Sequence, residues 1–194
     1  MASVSSIVEV IVTPQTENNR FKLHKTALCD VSPFFSNAFN GQFKESHTDT
    51  ITISSTSIAT FGLFTEWLYS RKLLDTTGNP TAWNWHWDVL IDLYIFADSY
   101  DVPGLREDIE DIAFSKAKRG DEDILPTTQG IRKLFDNVPH GAGLCKHFVE
   151  TFAKQFDPGH LDAAELELAR RLLHPDFAWA VMVYLADLRA RKEG

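Results

Sequence analysis

The sequence predicts an α/β (α+β) domain followed by an all-helical extension. Three observations point there. Runs of β-branched residues with strand-like patterning are confined to residues 7–53. Between and after them, apolar residues recur at helical spacing, and beyond residue 126 no other period is found. Charge divides at the same place: residues 1–126 carry 10 basic and 18 acidic groups, whereas residues 127–194 carry nine of each and are neutral.

Each element has a local reason. Ile7-Val8-Glu9-Val10-Ile11-Val12 is β-branched and apolar on both faces apart from Glu9, which suits a largely covered strand. Thr13-Pro14 stops it, and the polar stretch to Asn19 turns the chain into Phe21-Lys22-Leu23, whose alternation completes a hairpin. Thr50-Ile51-Thr52-Ile53 reads as a third strand with its isoleucines on one side. Asp30 or Ser32 caps a helix bearing Phe34, Phe35, Ala38 and Phe39, with Pro33 in its first turn. Ser57 caps the next, and its Ile58, Phe61, Leu63, Phe64, Trp67 and Leu68 are apolar nearly all round, as in a buried helix. Trp87, Leu90, Ile91, Tyr94 and Ile95 follow helical spacing closely. Pro103 opens a helix that turns Leu105, Ile109, Ile112 and Ala113 inward and Arg106, Glu107, Asp108, Glu110 and Asp111 to water.

The charged run from Lys116 to Asp123, with Gly120 inside it and Pro126 after it, marks a helix end and a turn. It sets a first module at residues 1–125 and a helical extension at 126–194. The extension shows four apolar stripes: Ile131/Leu134/Phe135/Val138, Leu144/Phe148/Phe152/Phe156, Ala164/Leu168/Leu172, and Phe177/Val181/Tyr184/Leu185/Leu188 after Pro175. Helices this short are marginal alone, so the stripes are expected to pack on one another or on the first module.

Composition excludes several function classes. At 194 residues, 44% hydrophobic and 24% charged, the chain buries a core without disulfide or metal staples and is too apolar for disorder. A net charge of −8 and a pI near 5.3 lack the footprint of a direct nucleic-acid binder. Cys29 and Cys145 stand in no CxxC or zinc spacing and read as reduced thiols of an intracellular protein. The N-terminus has no basic segment leading an apolar run, and no stretch approaches the about 20 apolar residues that span a bilayer. The expectation is a soluble cytoplasmic or nuclear protein with no membrane partner and no cofactor.

Specific words go further than periodicity. Phe21-Lys22-Leu23-His24-Lys25-Thr26-Ala27-Leu28 resembles the F-x-x-H-K-x-x-L signature of BTB/POZ domains. Ser32-Pro33-Phe34-Phe35, Phe39 and Phe43-Lys44-Glu45-Ser46 follow at the family's spacing. The helix ending Phe64-Thr65-Glu66-Trp67-Leu68-Tyr69 and the segment Leu93–Arg106, with Ala97-Asp98 at its centre, complete five ordered matches over about residues 7–119. The tryptophan-rich insert Trp83-Asn84-Trp85-His86-Trp87 and the helical tail resemble the fungal subgroup of the family.

The resemblance implies a helical cluster flanked by a short β-sheet, with no catalytic centre. It implies a protein-interaction module: an adaptor linking a partner or substrate to a cullin-RING ubiquitin ligase, with self-association as a further expected contact, or, alternatively, a scaffold or transcription-linked homo- or hetero-oligomerisation module without ligase association. The core strand begins at Ile7, which leaves no room for the preceding helix that transcription-factor members exchange in their dimers. No zinc-finger, Kelch or MATH segment is present, so a substrate-recruiting surface is expected in residues 120–194 or on another chain.

Phe43, Lys44 and Glu45 match the hydrophobic-x-Glu word that cullin-binding members place after their second helix. An exposed Phe43 would fill an apolar pocket on the partner while Glu45 orders the loop through backbone hydrogen bonds. On the blander reading Phe43 packs inward and Glu45 merely caps the next turn. Trp83 and Trp85 either cover the core or, if partly exposed, bind a partner. Phe21, His24, Lys25, Leu28, Ser32, Phe35, Ala97 and Asp98 are read as structural signature residues, with His24 buried and hydrogen-bonded to backbone at the strand-to-helix turn. His24, Cys29 and Asp30 lack the spacing and the Gly-rich elbow of a nucleophilic site. Cys145 and His147 form a C-x-H pair without the second pair that zinc needs, and on a helix they point to different faces. The acidic set at Glu107–Asp111 and Asp121–Asp123 reads as a solvated face.

Overall fold

The computed structural model describes residues 6–13, 19–73, 86–119, 125–155 and 173–193. Its described elements are β1 (Ile7–Val12), β2 (Arg20–His24), α1 (Lys25–Val31), α2 (Pro33–Asn40), α3 (Lys44–Thr48), β3 (Thr50–Ile53), α4 (Ile58–Ser70), α5 (Trp87–Ser99), α6 (Pro103–Arg119), α7 (Thr128–Asn137), α8 (Gly143–Gln155) and α9 (Pro175–Glu193). The chain forms two compact units, Met1–Trp85 with Asp92–Asp108, and His86–Ile91 with Ile109–Gly194.

The first unit is a cluster of helices edged by a three-stranded sheet of order β2-β1-β3. β1 and β2 are antiparallel, with Val8 opposite Leu23 and Val10 opposite Phe21. Asn19 closes the open end of the pair: its side-chain amide donates to the Val12 carbonyl at 2.9 Å, and its own carbonyl accepts from the Val12 N–H at 2.9 Å. β3 is parallel to β1, with Val10 opposite Ile51 and Val12 opposite Ile53. A parallel neighbour requires a crossover, and α1 to α3 supply it. Val8, Val10, Ile11 and Val12 are buried, as a covered strand requires, but Ile7 at the strand start is exposed. Ile51 and Ile53 are buried while Thr52 faces water.

Ser32 is the hinge of the helical part. Its hydroxyl caps α2 by accepting from the Phe35 N–H at 3.1 Å and donates to the Tyr100 carbonyl at 2.6 Å, all within the interior. Ser57 caps α4 in the same way. The core between these helices is aromatic, with Phe35, Phe61, Phe64, Phe96 and Tyr100 in mutual ring contact. Asp108 departs from the solvated face expected of it: its carboxylate accepts from the Trp67 indole N–H at 2.7 Å. α1 and α3 have no counterpart in the periodicity.

The second unit gathers the first turn of α5, the latter part of α6, and α7 to α9. Thr127 caps α7, whose Ile131, Leu134 and Phe135 are buried. Phe135 and Phe152 both pack edge-on against Phe177 of α9, at 5.4 and 5.3 Å between ring centroids. Phe156 and the Ala164/Leu168/Leu172 stripe lie outside the described residues. Among the described residues no helix is long and apolar enough to cross a membrane.

Candidate docking site

The turn from α2 to α3 carries the candidate site. α2 ends at Gly41, whose N–H donates to the Asn37 carbonyl at 2.9 Å. A Cβ on residue 41 would meet that carbonyl oxygen, so the close approach requires glycine there. Phe43 holds an extended backbone at the N-cap of α3 and is 61% exposed. Its carbonyl accepts from both the N–H and the hydroxyl of Ser46, at 3.1 and 2.7 Å. Ser46, rather than the expected Glu45, supplies the hydrogen bonds that order this turn. Lys44 is exposed and Glu45 is half-buried in the first turn of α3.

The Phe43 side chain lines a groove of 580 Å³ together with Phe34, Asn37, Ala38, Gly41, Glu45 and Ile51. Phe34 leaves the inward stripe assigned to α2: it sits edge-on to Phe35 and Tyr100 and shows one side to solvent. Ile51, buried in β3, lines it too. The arrangement is an apolar concavity with one carboxylate, suited to receiving an apolar side chain. Phe34, Asn37, Ala38, Gly41 and Ile51 line it without having been marked as site residues by the sequence. Their common signal, a helix edge and a strand face meeting beside Phe43, exists only once β3 is placed.

Phe21 is half-buried with its ring 4.7 Å from Phe61, and Leu28, Phe35 and Ala97 are fully buried. Lys25 approaches Asp49 at 3.5 Å, and Asp98 accepts from Arg106 at 2.7 Å. The expectation for His24 is corrected: it is exposed, and its Nδ1 lies 3.0 Å from the Tyr69 hydroxyl, which also accepts from the His24 N–H at 3.2 Å. A side-chain partner 45 residues away, at the surface, takes the place of a buried backbone one. Trp83 and Trp85 lie outside the described residues.

Burial pushes the Cys29 thiol up, against a smaller downward pull from the Asn40 amide that donates to its sulfur. Cys145 is fully buried. Among the described residues no group of three or more His, Cys, Asp or Glu side chains could hold a metal ion.

The family profile of the BTB/POZ domain matches residues 5–116. The chain belongs to the BTB/POZ family. A search of curated proteins returns no match. The matched span runs from before β1 to near the end of α6 and includes the Phe43 groove. BTB domains are protein-interaction modules, which agrees with an exposed aromatic beside an apolar groove.

His147, partner of Cys145 in the C-x-H pair, carries a pH dependence. Its Nε2 is the one buried side-chain nitrogen or oxygen without a hydrogen-bond partner among the described residues. The ring packs edge-on against Phe114 at 4.6 Å, and a ring N–H donates to the Ala113 carbonyl. Burial pushes the imidazole below its usual range and Lys154 adds to this, while Glu150, the Ala113 carbonyl and Glu110 pull the other way. An unfolded histidine takes its proton near pH 6.5, and the folded one only at lower pH. Between the two values the unfolded chain holds more protons, so stability falls on acidification, by at most about 1.4 kcal/mol per pH unit, and the loss ends once the folded ring also protonates. Urea unfolding between about pH 5 and 7.5 is expected to show this slope. His147→Asn, which keeps a short donor for Ala113, is expected to flatten it by one proton; an unchanged slope would refute the assignment.

Proposed function

We propose that this BTB protein is a non-enzymatic adaptor that joins a partner or substrate to the cullin scaffold of a ubiquitin ligase. Phe43 is the anchor of the cullin contact, and Lys44 and Glu45 flank it. Residues 1–125 act as the docking domain, and residues 126–194, with Trp83 and Trp85, are available to a second protein. The single observation that supports this reading is the position of Phe43, exposed in the lining of a 580 Å³ groove while the neighbouring aromatic Phe35 is buried. An aromatic that fills a pocket on its partner is the usual form of an interface hot spot.

The test is retention of a purified cullin N-terminal domain by the immobilised chain. Phe43→Ala is expected to weaken it by more than about tenfold, as loss of a hot-spot anchor does. The far-ultraviolet circular dichroism should stay unchanged, because Phe43 contributes little to the core. Equal retention by the folded variant, or no retention by the parent chain, would leave the scaffold reading without ligase association as the better one.

A further inference from the structure

Helix α9 starts on a histidine whose two ring nitrogens are both engaged. His174 stands at its N-cap: the His174 carbonyl accepts from the Ala178 N–H at 3.0 Å, and Nδ1 accepts from the Asp176 N–H at 3.2 Å. On the other side of the ring, Nε2 lies 3.1 Å from the Asp136 carboxylate at the end of α7. An ionised carboxylate only accepts, so Nε2 carries the proton and Nδ1 is bare. One neutral tautomer satisfies both bonds, and no other form of the ring does.

The surroundings determine what a second proton does. The His174 side chain is 14% exposed, with its ring 5.7 Å from that of Phe135. The titratable groups that face it among the described residues are Asp136 from α7, Asp176 from α9 and His140 from the turn before α8, the last at 6.0 Å between ring centroids. A proton taken from solvent lands on Nδ1 and points at the Asp176 N–H, donor against donor. The cap is lost, and positive charge is added at a helix N-terminus, which the helix dipole opposes. The Asp176 carboxylate, 3.8 Å from Nδ1, is the acceptor within reach, while Nε2–H keeps Asp136. His140 offers no replacement cap, since its Nε2 faces the Phe135 carbonyl at 3.2 Å and the Asp176 carboxylate at 3.7 Å.

We propose that His174 is a pH-sensitive clasp for the first turn of α9. Neutral, it caps the helix and ties it to α7. Protonated, it turns Nδ1–H to the Asp176 carboxylate and releases the Asp176 N–H. The clasp thereby acts on the outer face of α9, which at about 100° per residue lies opposite the buried Phe177 and Val181. There Trp179, 64% exposed, and Val183 line a groove of 440 Å³ with His140 and Tyr184. The proposal is independent of the Phe43 groove, which belongs to the other unit.

Amide hydrogen exchange of the full chain, followed by nuclear magnetic resonance and corrected for intrinsic rates, reads the clasp. From about pH 7.5 to about pH 5, which brackets the ordinary histidine range, protection at Asp176 and Ala178 is expected to fall relative to Phe148 and Val149 of α8. The fall should be about fivefold, the worth of one N-cap. The α8 reference removes the change in overall stability that His147 brings. His174→Asn, whose carboxamide oxygen accepts at either pH, should show no relative loss, and His140→Asn should keep the loss in full. His174→Ser, another cap that does not titrate, serves if His174→Asn alters the circular dichroism. Imidazole nitrogen shifts at the higher pH should show the Nε2–H tautomer of His174. The Nδ1–H tautomer there, equal relative protection at both pH values, the same loss in His174→Asn and His174→Ser, or its disappearance in His140→Asn would overturn the proposal.

Discussion

Phe35→Ala is expected to lower the stability of the first unit by about 3–5 kcal/mol, the cost of emptying a large aromatic from a packed core. Phe35 is fully buried and central: it lies parallel to Tyr100 at 5.8 Å, Phe39 at 6.4 Å and Phe64 at 6.4 Å, and takes the edge of Phe34 at 5.3 Å. Its backbone N–H is the donor that Ser32 captures to cap α2. Truncation therefore removes ring contacts within α2, to α4 and to the turn after α5, beside a hydrogen-bonded Ser32 that cannot readily move to fill the space. The Ser32 hydroxyl also holds the Tyr100 carbonyl, which resists collapse from that side. Urea unfolding monitored by circular dichroism checks the prediction, with Phe35→Leu as the control that keeps most of the volume and costs about 1.5 kcal/mol or less. A loss of under about 1 kcal/mol for Phe35→Ala would mean that the cavity closes, against the packing described.

What the sequence could and could not show follows from the range of each signal. β3 and α5 were legible because their apolar periods match the faces they bury: Ile51 and Ile53 point in, and so do Trp87, Leu90, Ile91 and Tyr94. The Ser32 and Ser57 caps were legible because a cap is chemistry within three residues. α1 and α3, at seven and five residues, are shorter than the window in which a helical period can be seen. α1 buries only Leu28 and Val31, and α3 buries nothing, so surrounding structure rather than a local signal holds them helical. At the candidate site the Phe43-Lys44-Glu45 word was readable, but the exposure of Phe43 was not, because it depends on Gly41 and on β3 arriving beside α2. His24 misled for a similar reason: its partner Tyr69 is contributed by a helix that sequence spacing alone does not place. The outer face of α9 was hidden by its richness, since apolar residues on both sides leave no period from which to tell inside from outside.

Trp87→Ala should have a comparable effect in the second unit, again about 3–5 kcal/mol. Trp87 reads in the sequence as the last of three tryptophans spaced by two, but it is the first residue of α5 and is almost wholly buried. Its indole takes the edge of Phe148 from α8 at 5.0 Å, and the Lys116 ammonium of α6 lies 5.1 Å from its ring centroid. Lys116 is itself only 4% exposed, and its ammonium rests against the indole face. Deleting the ring leaves a cavity beside Phe148 and removes the aromatic face against which the Lys116 side chain lies, two losses at one place. Trp87→Phe keeps an aromatic face for both neighbours and should cost much less. Lys116→Met, which retains the stem and removes the charge, should partly rescue Trp87→Ala if the exposed cation matters, and a double-mutant cycle measures the coupling. Native-state hydrogen exchange is the direct readout: the α8 amides around Phe148 should lose protection in Trp87→Ala in proportion to the fall in stability. Undiminished protection in α8 would show that this ring does not hold the helix in place.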